Sequence, residues 1–229
     1  MKIEILETKE GAKRARGLTV IIDVFRAFSL EAYLFSRGAS RIYAVGSEAT
    51  ARSMKAAEPD SVLVGERGGV ILPGFDFGNS PSQTEKADVA GKTVIHTTSA
   101  GTQGLVAASM ADEIVTGALV NAAAVAAYIK RRGPEAVSLV AMGLNGRESS
   151  PEDVLCARMI RAYLEGGSVD FEQEAAAVRE HREGRKFFNP DTQNVFPRED
   201  FFMCMRPNIF GFVLKAERVN DDTFLMHKI

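Results

Sequence analysis

Carboxylate side chains stand at or beyond the ends of three apolar segments of the sequence. Asp23 ends the segment LTVIID, Glu66 follows SVLVG, and the pair Glu152 and Asp153 comes after AVSLVA. Carboxylate oxygens are the ligands that hard divalent cations take in proteins. These four residues therefore predict a cation site.

Cationic and hydroxyl-bearing residues accompany these carboxylates. Arg26 follows Asp23 closely and Arg67 is next to Glu66, and guanidinium groups are planar forks that suit phosphate or carboxylate groups. The stretch Thr97–Thr102 (TTSAGT) opens a helix-like segment, where free backbone N–H groups and hydroxyls can cradle a phosphate. We therefore predict that an anion shares the site with the cation.

Each of these residues also has a purely local explanation. Asp23 could cap the helix that follows it, and TTSAGT could be only a capped loop. Glu152 and Asp153 could be partners of a helix dipole. What favours a site is their shared position after strand-like segments, because ligands of open α/β sheets bind beyond the carboxyl ends of the strands.

Short β-branched segments alternate with helix-like segments over most of the chain. The segments that predict strands are Leu18–Asp23, Arg41–Val45, Ser61–Gly65, Lys92–His96, Glu113–Thr116 and Ala136–Ala141. Those that predict helices are Phe25–Ser36, Ser47–Ala57, Thr102–Met110, Asn121–Arg131 and Pro151–Leu164, the last with Ser150 as its cap. This alternation predicts an α/β fold with a doubly wound, mainly parallel sheet, helices on both faces and three layers.

The other segments depart from this alternation. Residues 66–91 lack a strong period and are rich in Gly, Pro, Asn and Ser, which is typical of a long functional loop. Later in the chain we expect a helix at Phe171–Glu183, an irregular stretch at Lys186–Pro197 and a last, antiparallel strand within Ile209–Arg218. We therefore predict one α/β domain over residues 1–229, with a core of about 18–166 and a C-terminal extension of about 167–229 packed on it.

The composition excludes several classes of protein. The chain has 229 residues, with 28 Lys+Arg, 30 Asp+Glu and a net charge of −2, whereas a nucleic-acid binder carries a basic excess. We expect Lys13–Arg16, the dense basic run, to be a solvated loop. Cys156 and Cys204 are too few for a disulfide framework and are expected in the core. No segment is apolar and long enough for a signal peptide or a membrane span, so we expect a cytoplasmic protein without a membrane partner.

Several known motifs for handling phosphate are absent. Gly91–Lys92–Thr93 lacks the earlier glycine of a P-loop, and no GxGxxG fingerprint occurs. Neither cysteine is followed by the arginine of a cysteine-phosphatase loop, and Phe25 stands where a DxD phosphatase has its second aspartate. The predicted site therefore has to be built from the residues at the strand ends.

Five segments of the chain resemble the 2-phosphosulfolactate phosphatase family, in the order in which that family has them. They are Val20–Ala27 (VIIDVFRA), Gly65–Gly69 (GERGG), Pro73–Pro81 (PGFDFGNSP), Thr97–Thr102 (TTSAGT) and Glu152–Ala157 (EDVLCA). The resemblance covers about residues 18–215, and its most specific parts are GFDFGNSP and GERGG. Two positions depart from the family's pattern: Phe28 stands where a hydroxyl residue is usual, and Ala100 where an asparagine is usual.

The resemblance implies a Mg²⁺-dependent phosphatase that converts (R)-2-phospho-3-sulfolactate, a small anionic substrate, to 3-sulfolactate and phosphate in coenzyme M biosynthesis. The candidate catalytic residues are then Asp23, Arg26, Glu66 and Arg67. The candidate Mg²⁺ ligands are Asp23, Glu66, Asp76, Glu152 and Asp153. The candidate phosphate-binding residues are Asn79, Ser80, Thr97, Thr98, Ser99, Gly101 and Thr102.

Four questions stay open at the level of the sequence. The attacking group is either water or Asp23, and the missing second aspartate favours water. The substrate is phosphosulfolactate or the phosphate ester of another 2-hydroxy acid, while a non-catalytic sensor of a small phosphorylated acid would have the same residues. Arg26 or Arg67 is expected to bind a second anionic group of the substrate, since two arginines exceed what one phosphate requires. The fourth open question is whether the chain forms a homo-oligomer.

Overall fold

The computed structural model of the chain describes residues 1–229 and is built around one ten-stranded sheet. The strands are β1 (Lys2–Glu7), β2 (Leu18–Ile22), β3 (Arg41–Val45), β4 (Val62–Arg67), β5 (Val70–Ile71), β6 (Thr93–Thr97), β7 (Glu113–Gly117), β8 (Ala136–Ala141), β9 (Leu214–Asn220) and β10 (Thr223–Lys228). The α-helices are α1 (Thr8–Arg14), α2 (Ala27–Ser36), α3 (Glu48–Ala57), α4 (Gly101–Ala107), α5 (Ala122–Arg132), α6 (Pro151–Glu165), α7 (Phe171–Glu180), α8 (Arg182–Arg185) and α9 (Arg198–Cys204). The strand order is β1-β8-β2-β7-β9-β10-β3-β6-β4-β5.

A C-terminal hairpin divides this sheet into two parallel halves. β1, β8, β2 and β7 are parallel neighbours, and so are β3, β6 and β4. The hairpin of β9 and β10 lies between the halves, antiparallel to β7 on one side and to β3 on the other. The last residues of the chain therefore complete the sheet at its centre.

Burial on both faces explains the β-branched sequences of the parallel strands. β2 (LTVII) and β6 (TVIHT) are buried along their whole length, as expected for parallel strands that helices cover on both sides. Helix α2 is buried from Ala27 to Phe35 and lies inside the molecule, which is why it is apolar around nearly its whole circumference.

The sheet curves strongly, because residues from both halves meet at one cleft. β2 and β4 are six positions apart in the strand order, which at ~4.8 Å per strand is about 29 Å across a flat sheet. Asp23, directly after β2, and Glu66, in β4, nevertheless line the same cleft. The carboxyl ends of the two halves therefore face each other across this cleft.

The α/β fold predicted from the sequence is confirmed, with a mostly parallel sheet and covering helices. All six predicted strands are present, with ends shifted by no more than two residues. The last antiparallel strand predicted within Ile209–Arg218 is present as β9. The second strand β10 and the central position of both strands were not expected, since apolar periodicity does not encode strand order. A single domain over residues 1–229 stays a prediction.

Two N-terminal elements were not predicted. β1 pairs with β8 at the sheet edge, and α1 contains Lys13 and Arg14. The run expected to be a solvated loop is therefore partly helical, although Lys13, Arg14 and Arg16 are exposed as expected. The sequence does not predict α1 because Gly11, within the helix, is a poor helix former. The glycine is needed for close packing: a Cβ atom added at Gly11 would lie 3.0 Å from the Cβ of Leu6.

Two expectations drawn from composition can be compared with the structure. Cys156 and Cys204 are both free and buried, which confirms their prediction as core residues. None of the helices combines the length and the apolar character needed to cross a bilayer.

The central hairpin should be critical for stability, and Phe224 in β10 tests this. Its side chain is fully buried, so Phe224→Ala should lower the free energy of unfolding by about 3–5 kcal/mol through lost burial and a residual cavity. Val219→Ala, at a position of the same hairpin that is 54% exposed, should change it by no more than about 0.5 kcal/mol. Urea denaturation followed by circular dichroism measures both, and equal small losses would contradict this role of the hairpin.

Candidate active site

The carboxyl ends of the two half-sheets enclose a cleft lined by acidic side chains. Its acidic residues, which define what we call the acidic cleft, are Asp23, Glu66, Glu152, Asp153 and Glu183. Two cationic residues, Arg26 and Lys186, line it as well. The structure therefore brings together four of the five carboxylates that the sequence suggested as metal ligands.

Chain geometry at the strand ends and helix starts explains how these carboxylates reach the cleft. Asp23 is the first residue after β2, and its N–H donates to the carbonyl of Gly117 at 3.2 Å. Glu152 and Asp153 lie in the first turn of α6, after Pro151. Ser150 is the N-cap residue of α6, as predicted, although its hydroxyl makes no capping hydrogen bond.

Asp153 uses both carboxylate oxygens to hold two loops. Its Oδ1 accepts the N–H of Val24 at 2.7 Å, and its Oδ2 accepts the N–H of Gly143 at 2.8 Å. These bonds tie α6 to the loops after β2 and β8. Asp153 therefore fixes the loop that carries Asp23.

Glu66 has the corresponding role in the other half-sheet. Its Oε2 accepts the N–H of Gly69 at 2.6 Å, and its Oε1 accepts the N–H of Ser99 at 2.7 Å. Glu66 therefore joins the turn after β4 to the loop after β6, on the side of the cleft opposite Asp153.

Two buried acceptor atoms of the cleft have no hydrogen-bond partner. They are Oε2 of Glu152 and Oδ1 of Asn79. A buried acceptor without a partner costs about 1–3 kcal/mol, and more if it is charged. Oxygen atoms in this condition are suited to a hard cation or to a donor group of a ligand.

The residues present fit Mg²⁺ bound jointly with a phosphorylated ligand. No group of three or more His, Cys, Asp or Glu side chains in the chain converges closely enough to hold a metal ion. Mg²⁺ does not require such a cage, because it keeps several waters and takes one or two carboxylates together with substrate phosphate oxygens. Asp23 and Glu152 have the least committed oxygens, since Oδ1 of Asp23 accepts only a long bond from Ala27 N–H at 3.2 Å.

Three carboxyl groups of the cleft, those of Asp23, Glu152 and Asp153, have raised pKa values. Burial, and to a lesser extent the nearby carboxylate of Asp153, raises the pKa of Asp23 to about 8. Burial also raises the pKa of Asp153 and of Glu152, and their mutual repulsion adds to the rise for Asp153. A bound cation would take the place of these protons.

Asp76, the fifth predicted metal ligand, lies outside the cleft. Its Oδ2 accepts the N–H of Leu63 at 2.7 Å and lies 3.4 Å from Nζ of Lys55, and the side chain is 44% exposed. The sequence prediction of Asp76 as a ligand is not supported by this placement. The carboxylate instead fastens the loop of residues 73–81 to the start of β4.

Most of the predicted phosphate-binding hydroxyls are engaged within the protein. Thr98 and Thr102 bond reciprocally, each hydroxyl accepting the backbone N–H of the other at 3.2 and 3.0 Å. Ser80 donates its hydroxyl to Asp200 at 2.9 Å, and the Thr97 hydroxyl accepts from Arg67 at 3.2 Å. Of the candidates, the structure places Asn79 and Ser99 on the cleft surface.

Gly101 lies directly behind Asp23. A Cβ atom added there would come within 3.0 Å of Asp23 Oδ2 and of the Phe28 ring. The glycine therefore permits the close approach of α4 to Asp23.

Arg26 is occupied by protein acceptors rather than presented to a ligand. Its Nη1 donates to Asp200 and to the carbonyl of Val195, both at 2.8 Å, and its Nη2 donates to the carbonyl of Gly69 at 3.2 Å. The side chain is 3% exposed. The prediction that Arg26 acts directly on the substrate is therefore replaced by a positioning role.

Arg67 lies in an adjoining space, which we call the outer groove. This groove has no apolar lining and shares Gly68, Ser99 and Asn145 with the acidic cleft. Its cationic residues are Arg67, Lys9 and Arg147. Positive charge thus accumulates beside the acidic cleft.

The 2-phosphosulpholactate phosphatase family matches residues 4–217 of this sequence. The chain belongs to this family. A Bacillus subtilis protein is 29% identical over 221 residues, covering 95% of each chain, and one from Clostridium perfringens strain SM101 is 32% identical over 232 residues, covering 94% of this chain and 93% of its own. A Deinococcus radiodurans protein is 38% identical over 148 residues, which is 64% of this chain and 61% of that protein. Each of the three is named "Probable 2-phosphosulfolactate phosphatase".

Both departures from the usual pattern of the 2-phosphosulpholactate phosphatase family lie close to the site. Phe28 is buried in α2, where its ring packs against the position of Gly101. Ala100 lines the acidic cleft. The family resemblance seen in the sequence is confirmed; of the two departing positions, Ala100 lines the cleft and Phe28 lies behind Gly101.

Three residues of the cleft were missed by the sequence analysis. Glu183, Lys186 and Phe196 come from the segment between α7 and α9 and close one side of the cleft. This segment carries no strand-end signal, because it belongs to no β/α unit. The only available indication was its length without regular structure, which often marks a functional segment.

Protonated carboxyls in the cleft should make the metal-free protein less stable as the pH rises. The pKa of Asp23 is about 8 in the folded protein against about 3.9 in the unfolded chain. Between these two pH values the unfolded chain has released a proton that the folded protein retains, so the free energy of unfolding falls as the pH rises. Thermal unfolding in EDTA should therefore give a lower Tm at about pH 8 than at about pH 5, and Mg²⁺ should raise the Tm more at the higher pH.

Asp23→Asn should weaken this pH dependence, because one of the three carboxyl groups with a raised pKa has been removed. Asp88→Asn, at a side chain that is 79% exposed, is the matched control and should leave it unchanged. A pH dependence that is identical in wild type and Asp23→Asn would show that Asp23 does not retain its proton.

Proposed function

We propose that this chain is a Mg²⁺-dependent phosphatase that hydrolyses (R)-2-phospho-3-sulfolactate to 3-sulfolactate and phosphate. Membership of the family and the names of the relatives support the reaction class. The observation that carries the proposal is the acidic cleft itself, in which a buried Glu152 oxygen lacks a partner beside a groove lined by cations. A cytoplasmic location and a place in coenzyme M biosynthesis stay predictions.

Asp23 and Glu152 are the residues that we propose to hold Mg²⁺. When bound, the ion supplies positive charge for the phosphoryl oxygens. Glu66 and Asp153 are not proposed as Mg²⁺ ligands, because their carboxylate oxygens already accept hydrogen bonds from backbone N–H groups. They keep the loops of the two half-sheets at the spacing that the ligand requires.

Two features of the chain favour water over Asp23 as the attacking group. We propose attack by water, because Phe25 occupies the place of a second aspartate and both oxygens of Asp153 are engaged by backbone donors. The protein's part is to hold the phosphoryl group in a cleft whose carboxylates can take up the proton that water releases and pass it to the ester oxygen of the substrate, whose bond to phosphorus breaks as the bond from water forms.

The outer groove is the proposed binding place for the rest of the substrate. Phosphosulfolactate carries a carboxylate and a sulfonate besides its phosphate, and these anions need cationic partners. Arg67 lines the outer groove, where it is held by its hydrogen bonds to Thr97 Oγ1 and to the carbonyl of Glu66. Of the two arginines predicted to bind a second anion, the structure favours Arg67.

Phosphate release over a small panel of esters tests the reaction. With Mg²⁺, the protein should release phosphate from (R)-2-phospho-3-sulfolactate, and EDTA should abolish this. Asp23→Asn should lower kcat by about 100-fold or more, as expected for a lost electrostatic contact to the reacting group. Asp76→Asn should retain activity, because Asp76 lies outside the cleft. Tight ligand binding without turnover would instead identify a sensor.

Arg67→Ala tests how the second anion is recognised. Losing a charge-assisted contact of about 1.5–3 kcal/mol lowers kcat/KM roughly 10- to 150-fold. Phosphosulfolactate and phospholactate should show this loss, whereas ethyl phosphate, which has no second anion, should hardly change. Arg52→Ala is the control, since Arg52 pairs with Glu48 on the exposed surface of α3. Equal losses on all esters would show that Arg67 does not bind the second anion.

A further inference from the structure

We propose that Lys186 is a catalytic residue whose ammonium group contacts the phosphoryl oxygens in the acidic cleft. This inference rests on the proposed function, because it assigns a role in that reaction. Lys186 lies outside the motifs that carry the family resemblance and follows a short helix near the C-terminus.

The position of Lys186 is the first argument. Its side chain lines the same cleft as Asp23 and Glu152, and it is 23% exposed. Glu152, whose Oε2 has no hydrogen-bond partner, lines this cleft together with Lys186.

The shortage of other cations is the second argument. A phosphate ester placed among five carboxylates needs positive charge around its own oxygens. Arg26, the other cation of the cleft, pairs with the fully buried Asp200 at 2.8 Å and donates to two carbonyls. Arg67 lies in the outer groove. Lys186 keeps two of the three N–H groups of its ammonium for a ligand, since one reaches Glu183, and its side chain is 23% exposed against 3% for Arg26.

The way in which Lys186 is held is the third argument. Its Nζ lies 2.6 Å from Oε2 of Glu183 and above the rings of Phe187 and Phe196, at 5.6 and 4.8 Å from their centroids. The hydroxyl of Thr192 donates to its carbonyl at 2.9 Å. These contacts fix a flexible side chain before the substrate arrives, and such preorganised charge gives the largest stabilisation of a transition state.

A structural role for Lys186 would be limited to neutralising Glu183, whose side chain is 8% exposed. The two roles differ in what happens when both charges are removed. If Lys186 only compensates Glu183, then a variant that lacks both charges regains activity. If Lys186 contacts the phosphoryl group, that double variant stays impaired.

The test compares Lys186→Met, Lys186→Arg and the double variant Lys186→Met/Glu183→Gln in the full chain. Lys186→Met should lower kcat about 10²- to 10³-fold, as the loss of one preorganised donor does, and Lys186→Arg should recover part of it. The double variant should fold as the wild type does and stay as slow as Lys186→Met. Lys92→Met, in a surface pair with Asp88, is the matched control and should keep full activity.

Calorimetric titration with inorganic phosphate, with and without Mg²⁺, separates this inference from the proposed function. Lys186→Met should weaken phosphate binding by at least about tenfold. If wild type binds phosphate but hydrolyses none of the esters, the proposed function fails, and weakened binding in Lys186→Met still supports the contact. Unchanged phosphate affinity, or recovery of activity in the double variant, would overturn the role of Lys186.

Discussion

The site depends on the buried ion pair between Arg26 and Asp200. Their side chains are 3% and 0% exposed and 2.8 Å apart. Asp200 also accepts the N–H of Ser82 at 2.9 Å, and Arg26 also donates to the carbonyl of Gly69. The pair thus joins the loop after β2, the turn after β4, the loop around residues 80–82 and α9. Breaking such a pair leaves an uncompensated buried charge, at a cost of about 3–5 kcal/mol, so these four segments are held in one arrangement.

This pair also helps to hold one of the loops that stabilise the carboxylates of the acidic cleft. Carboxylates that are buried together repel one another, and each loses hydration. Asp153 and Glu66 are stabilised by backbone N–H groups from neighbouring loops, and Arg26 holds one of these loops through the carbonyl of Gly69. What is left uncompensated is Oε2 of Glu152. The protein thus satisfies the carboxylates that shape the cleft and leaves one that only a ligand can satisfy.

The parts of the site that follow strand ends could be predicted from the sequence, and the parts from elsewhere could not. Asp23 and Glu66 were found because a strand that ends in a carboxylate points it to the ligand-binding edge. Asp76 was placed wrongly because its motif does not reveal that its carboxylate turns to Leu63 N–H. Lys186 and Asp200 were missed because their segment has no β/α periodicity. The strand order could not be predicted either, because the sequences of β9 and β10 would suit the edge of a sheet as well as its centre.

The C-terminal third of the chain both completes the sheet and contributes residues to the site. The half-sheet with β2 and β8 supplies Asp23 and Asp153, while the half-sheet with β4 and β6 supplies Glu66 and Ser99. The halves share no direct strand pairing, because β9 and β10 lie between them. The same C-terminal region spans the cleft with Lys186 and Asp200. The distance between the two sets of carboxylates is thus set by residues that follow both half-sheets in the sequence, so the cleft takes its final form only when the end of the chain is in place.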